Sequence, residues 1–277
     1  MLENTFVHLP GIGPRRERWL WEHGCLDWHR FLAALEAGEI GRGTFTTLSP
    51  IVSQSIAALA AGDAGFFSAR LPGRELWRLY PNFARHALFL DIETTGLSAY
   101  GDEVTVIGAL GGGRLTLFVN GINLDEFPAY VAQFPLLVTF NGSLFDVPFL
   151  RARFPTARLD QAHLDLRFAL ASLGYKGGLK AVERQLGLAR AAEIQGVDGF
   201  EAVRLWHRYR RGNRAALRKL ALYNLTDVVN LVDLAQIAVD RLVRRACFPG
   251  TSIELEPYRT RPLAAEYLDT WLADHLA

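Results

Sequence analysis

Cysteine is scarce in this chain. Cys25 and Cys247 are the only two in 277 residues, with no CxxC and no zinc-ligand spacing around them. That pattern excludes a disulfide scaffold and suits a reducing compartment. Lysine is nearly as rare: Lys176, Lys180 and Lys219 stand against 27 arginines. An excess of one charge is missing too, since 30 basic and 29 acidic residues leave +1. Any surface for a polyanion must therefore be local. No apolar run approaches membrane-spanning length, and the start, MLENTFVHLPGIGPRR, lacks the basic-then-apolar order of a secretory leader. The expectation is a cytoplasmic protein. GxGxxG, GxxxxGK, internal repeats and low-complexity tracts are also absent, so Gly111-Gly112-Gly113 reads as a hairpin turn and not a nucleotide loop.

What is present is an acidic stretch at the end of an apolar one, FLDIETTGL at 89–97. Ala87-Leu88-Phe89-Leu90 reads as a buried strand, and strand side chains two apart share a face. Asp91 and Glu93 therefore project together. Two neighbouring carboxylates on a buried strand repel unless a cation sits between them, and a divalent metal is the simplest one. The alternative is a strand that runs out into a polar turn.

The rest of the chain divides by pattern. Residues 1–80 form a helical region, 85–245 an α/β domain and 246–277 a C-terminal extension with Pro249-Gly250 and a short amphipathic helix. A linker is expected near 70–85, where Pro72, Gly73, Pro81 and Asn82 cluster. In the first region Leu9-Pro10-Gly11-Ile12-Gly13 precedes a helical pattern carrying Arg15 and Arg16. It resembles a helix-hairpin-helix motif, whose turn holds a phosphate on backbone N–H groups. A Gly-Pro turn joining two core helices fits equally well.

In the α/β part, Val104–Leu110 and Arg114–Val119 read as a hairpin, 123–133 as a helix and 135–140 as a buried strand. The stretch FNGSLFDVPFL follows, with Ser143 as a candidate N-cap and Asp146 in the first turn of a helix. His163-Leu164-Asp165 reads as a structural pair or a ligand pair. The Tyr175–Lys180 turn can touch phosphate or merely cap a helix. Arg204 to Lys219 is the most basic window, with aromatics interleaved, and suits either a nucleic-acid backbone or a solvated face. A long helix is expected from Arg214 to about Val243. Tyr223 and Asp227, four apart, share one face of it, while Leu220, Leu231 and Leu234 supply its apolar stripe.

DIETTGL, then NGxxFDxPFL, then YxxxD resemble, in order and separation, the three motifs of the DEDD exonuclease superfamily. The Tyr four residues before the last Asp is similar to the Tyr subclass; five before, where the His subclass carries histidine, this chain has Leu222. The hairpin-like start, RLYPNF and HLDL resemble the YprB-like branch. This resemblance covers roughly 85–240. It implies an α/β, ribonuclease H-like mixed five-stranded sheet flanked by helices, preceded by a small all-α region. It implies that Asp91, Glu93, Asp146 and Asp227 bind two Mg2+ or Mn2+, and that Tyr223 orients the attacking water. Asp165 is an extra acid that could replace or assist Asp146. Thr94, Thr95, Leu97, Asn141, Phe145, Lys176, Arg208 and Arg211 are the expected nucleic-acid contacts, with Gly11, Gly13 and Arg15 in the first region. The implied activity is 3′→5′ exonuclease hydrolysis of DNA or RNA ends. The alternatives are an endonuclease or RNA-processing nuclease with the same site, and a non-catalytic nucleic-acid-binding module.

Overall fold

A computed structural model describes residues 1–190, 192–248 and 264–276. Pro249-Gly250 lies outside them. Two compact units emerge, each with its own core. The stretch expected as a C-terminal extension is shared between them.

The first unit contains Met1–Ala84 and the described chain from Val239 to Phe248. Its helices begin and end where local chemistry dictates. Pro14 opens the helix Pro14–Glu22 in its first turn, where a missing N–H costs nothing. The Asp27 carboxylate caps Trp28–Ala37 by accepting the Arg30 amide at 2.8 Å, and Gly38 ends it at φ 72°. Phe6, Trp28, Phe31 and Phe67 are fully buried, with Trp28 stacked on Phe67. A buried ion pair crosses this core. Glu17 accepts both Arg78 Nη groups at 2.9 Å and also the Phe6 and Val7 amides at 2.6 and 3.2 Å. Burial of the pair is tolerable because its hydrogen-bonding capacity is filled in this way.

One expectation needs correction here. The stretch 70–85 is not a linker: it folds into short helical segments at Gly73–Leu79, Tyr80–Phe83 and Ala84–His86. Pro81 sits in a first helical turn, and Trp77, Leu79, Tyr80 and Phe83 are buried. The proline and glycine that suggested an irregular linker instead start turns of helix. In the helix-hairpin-helix-like stretch, the turn Leu2–Asn4 lies before the glycine turn and the helix Pro14–Glu22 after it. Gly11 does adopt a left-handed φ of 74°, and its carbonyl accepts Arg16 Nη1 at 2.9 Å.

The second unit contains Arg85–Ala238 and the helix Ala264–Leu276. Its mixed five-stranded sheet has the order β3-β2-β1-β4-β5. The strands are β1 (Ala87–Thr94), β2 (Val104–Gly111), β3 (Arg114–Val119), β4 (Leu136–Thr139) and β5 (Ala162–Asp165). β1 pairs antiparallel with β2 and parallel with β4, and β4 pairs parallel with β5. The β2–β3 connection is a tight hairpin because Gly112 and Gly113 both take positive φ, at 57° and 79°. The expected 123–133 helix is shorter, a turn at Leu124–Glu126 and a helix at Phe127–Val131.

β1 lies at the centre, buried from Ala87 to Leu90. Leu88, Leu90 and Ile92 share one face with Ile107, packed on Phe127 and Leu150. Alternation then places Asp91 and Glu93 on the opposite face. Register aligns Asp91 with Gly108 of β2. On that face runs the long helix Arg214–Ala246, and Gly108 is what lets it approach. A Cβ at 108 would lie 2.2 Å from Asn224 Oδ1 and 3.0 Å from Val228. The C-terminal helix guards the sheet edge, with the Leu117 amide of β3 donating to the Tyr267 hydroxyl at 3.0 Å. Among the described residues no helix is long and apolar enough to cross a membrane.

Candidate metal centre

Three carboxylates converge on that face. Asp91, Glu93 and Asp227 each offer an oxygen within 4.8 Å of the others. The first two come from alternate positions of β1 and the third from the long helix, so a strand period of two and a helix packed across it suffice to build the cluster. Burial raises the pKa of Asp91 and Glu93 well above the carboxylate range, and the neighbouring Asp227 raises both further. Asp227 is pushed up to about 6 by burial, against the opposing pull of Arg190. Like charges gathered in this way hold their protons unless a cation compensates them.

Asp146 stands beside this group and not within it. Its Oδ1 accepts the Ile92 amide at 3.2 Å, which fastens it to β1 between the two strand acids. Burial lifts it to about 7, and its charge in turn raises Asp91 and Glu93.

Asp165 has a different task. Its Oδ1 accepts the Asn141 and Arg167 amides at 2.7 and 3.1 Å, and its Oδ2 accepts the Ser143 amide at 3.1 Å and hydroxyl at 2.6 Å. It caps the helix Leu166–Ser172 and clamps the turn that delivers Asp146. Ser143 therefore does not cap the next helix, which starts at Asp146, because its hydroxyl is spent on Asp165. His163 is likewise structural, its Nε2 lying 2.8 Å from Thr139 Oγ1.

Tyr223 faces the cluster from one turn before Asp227 and is 8% exposed. Burial and the charges of Asp227, Glu93 and Asp91 raise its pKa, so it carries its proton at neutral pH. Two cations flank its ring, Lys180 Nζ at 4.6 Å and Arg190 Cζ at 5.7 Å from the centroid. Lys180 also donates to the Val197 carbonyl, and burial lowers its pKa.

The expected nucleic-acid contacts fall in several places. Thr94 Oγ1 donates to the Gly96 carbonyl at 2.6 Å, and Thr95 Oγ1 to Asp102 at 3.3 Å, so both hydroxyls stiffen the loop after β1. That loop presents Leu97, 86% exposed, to solvent. Asn141 takes a left-handed φ of 67°, and its side chain accepts Arg167. Phe145 is half-buried against Phe149. Lys176 and Arg211 are exposed, and Arg208 is also exposed but pairs with Glu201 at 3.2 Å. Gly11, Gly13 and Arg15 belong to the first unit, where Gly13 precedes the Pro14–Glu22 helix and Arg15 is exposed.

Four residues that the motifs did not single out complete the surroundings. Asn224 Nδ2 donates to the Asp91 carbonyl at 3.0 Å and to its Oδ2 at 2.8 Å. Arg190 Nη2 lies 2.6 Å from Asp227 Oδ1 and 2.6 Å from Glu183 Oε2. Asn230 Nδ2 donates to Glu183 Oε1 at 2.9 Å. Asn224 and Asn230 had a signal in retrospect, amides on the same helix as Tyr223 and Asp227. Glu183 and Arg190 had none.

An all-oxygen, mutually repelling donor set, with Glu93 and Asp227 buried and Asp91 half-buried, suits a hard divalent cation better than zinc. Residues 88–239 match a family model described as the RNase H superfamily. No curated protein matches the chain. Of 21 matching chains of known structure, one is the family B DNA polymerase of the hyperthermophilic archaeon Pyrobaculum calidifontis, with 17% identity and a TM-score of 0.48. That likeness covers 67% of this chain and 29% of the polymerase.

Proposed function

The chain belongs to the RNase H superfamily, and from that premise we propose that it is a metal-dependent nuclease, a 3′→5′ exonuclease acting on single-stranded ends of DNA or RNA. The observation that carries this reading is the convergence of Asp91, Glu93 and Asp227 within 4.8 Å. Asp91, Glu93 and Asp227 would hold two Mg2+ or Mn2+, with Asp146 beside them as the fourth acid. When bound, such ions supply positive charge to the attacking and leaving oxygens of an in-line displacement at phosphorus.

The chain's own groups do the rest. Asn224 fixes the Asp91 carboxylate, and the Ile92 amide fixes Asp146. Tyr223, protonated and buried, is a hydrogen-bond donor and not a base, so its part is to orient the attacking water. Leu97, on its stiffened loop, offers an apolar surface for a terminal base. Lys176 and Arg211 are exposed cations available to phosphate.

The test is incubation of 3′- and 5′-labelled single strands of DNA and RNA with magnesium, manganese or chelator. A ladder shortening from the 3′ end, abolished by chelator, supports the reading. Internal cuts would keep the metal site and assign an endonuclease. Binding without metal-dependent cleavage would leave a nucleic-acid-binding module and overturn the enzyme assignment.

A further inference from the structure

Beside the acidic cluster lies a second charged network that phosphodiester hydrolysis does not itself require. Glu183, on the helix Leu179–Leu186, has a side chain 2% exposed. Its Oε2 accepts Arg190 Nε at 2.6 Å, and its Oε1 accepts Asn230 at 2.9 Å, so the carboxylate is held from two sides. The guanidinium so anchored reaches Asp227 Oδ1 at 2.6 Å, where the acid's side chain is only 5% exposed. Arg190 Nη2 and Asp227 Oδ1 make no aligned hydrogen bond, so this contact is a close charge pair, set against a residue of the proposed metal centre.

We propose that Arg190 is a positioning residue for that centre. Locked by Glu183, its charge holds the Asp227 carboxylate in place beside Asp91 and Glu93. The proposal rests on the metal-dependent reading above and extends it to residues outside the acidic motifs.

A merely neutralising arginine makes the opposite prediction. If Arg190 only offset the negative charge, its removal would leave the cluster more negative and tighten cation binding. If it orients Asp227, removal loosens a ligand and weakens binding, by about 10- to 100-fold for an outer partner of a metal ligand. Lysine discriminates further, because it keeps the charge but cannot span Glu183 and Asp227 with a planar fork.

The experiment is Mn2+ titration by calorimetry of the full chain without nucleic acid, on the wild type, Arg190→Gln, Arg190→Lys and Asp91→Asn. Melting curves in chelator establish that each variant is folded. Expected are binding by the wild type, its loss in Asp91→Asn, and about 10- to 100-fold weaker binding in both Arg190 variants. Unchanged or tighter binding in Arg190→Gln, or full recovery in Arg190→Lys, overturns the proposal while leaving the metal reading intact. Absence of Mn2+ binding by the wild type overturns the metal reading, and this proposal with it. Should the Arg190 variants not fold, Glu183→Asp carries the test: it keeps the charge, shortens the arginine's anchor, and weakens binding in the same direction or refutes the claim.

Discussion

Asn224 holds Asp91 by two bonds from one nitrogen, 3.0 Å to its carbonyl and 2.8 Å to its Oδ2. The long helix that carries Asp227 is thus hydrogen-bonded to the strand that carries Asp91 and Glu93. Replacing Asn224 with alanine frees the Asp91 carboxylate. The expected result is a fall of about 10- to 100-fold in nuclease rate, the size seen when an outer partner of a metal ligand is lost. Far-ultraviolet circular dichroism should show the fold retained. An undiminished rate would show that Asp91 needs no such anchor.

Gly108 makes that contact possible, since a Cβ there falls 2.2 Å from Asn224 Oδ1. Gly108→Ala should push the helix from the sheet and cost about 1–3 kcal/mol, the range for overpacking. Chemical denaturation measures it. A neutral effect would mean that the contact is not tight.

Much of this was legible in the sequence, and the reason is periodicity. A strand period of two placed Asp91 and Glu93 on one face, and a helical period near four placed Tyr223 and Asp227 together. The mixed five-stranded sheet implied by the three motifs is the one observed. What remained illegible depended on tertiary approach. Arg190 follows a helix-ending glycine in an unremarkable segment, and only the fold brings it to Asp227. Segment 70–85 misled because proline and glycine open helical turns as readily as they break helices. Ser143 misled because Asp165, 22 positions away, claims its hydroxyl.

Asp165 provides a discriminating prediction. Its two oxygens serve three amides and a hydroxyl, so its role is to clamp the 141–143 turn. Asp165→Ala should cost about 1–3 kcal/mol or more through the unsatisfied donors it leaves. Mn2+ binding at saturating metal should persist in the folded variant. Complete loss of metal from a folded Asp165→Ala would instead make Asp165 a ligand.

The first unit has its own pH signature. His8 is buried against Trp28 and Phe67, with Nε2 2.9 Å from Ser55 Oγ. Burial, aided by the charges of Arg70 and Arg78, lowers its pKa from 6.5 to about 4. The unfolded chain therefore takes up the proton first as pH falls. His8 contributes stability that is complete above pH 6.5 and is lost between 6.5 and about 4, a change of up to ~3 kcal/mol. Denaturation at several pH values should show this loss, and His8→Gln should flatten it. An unaltered pH slope in His8→Gln would contradict the assignment.

The central claim is that Asp91, Glu93 and Asp227 bind metal and cleave phosphodiesters. Single-turnover cleavage of a labelled strand in magnesium, wild type against Asp227→Asn, tests it most directly. The expected result is a rate lower by at least about a hundredfold in the folded variant, with chelator abolishing wild-type cleavage. Equal rates in the two proteins, or wild-type cleavage that survives chelator, would contradict the account.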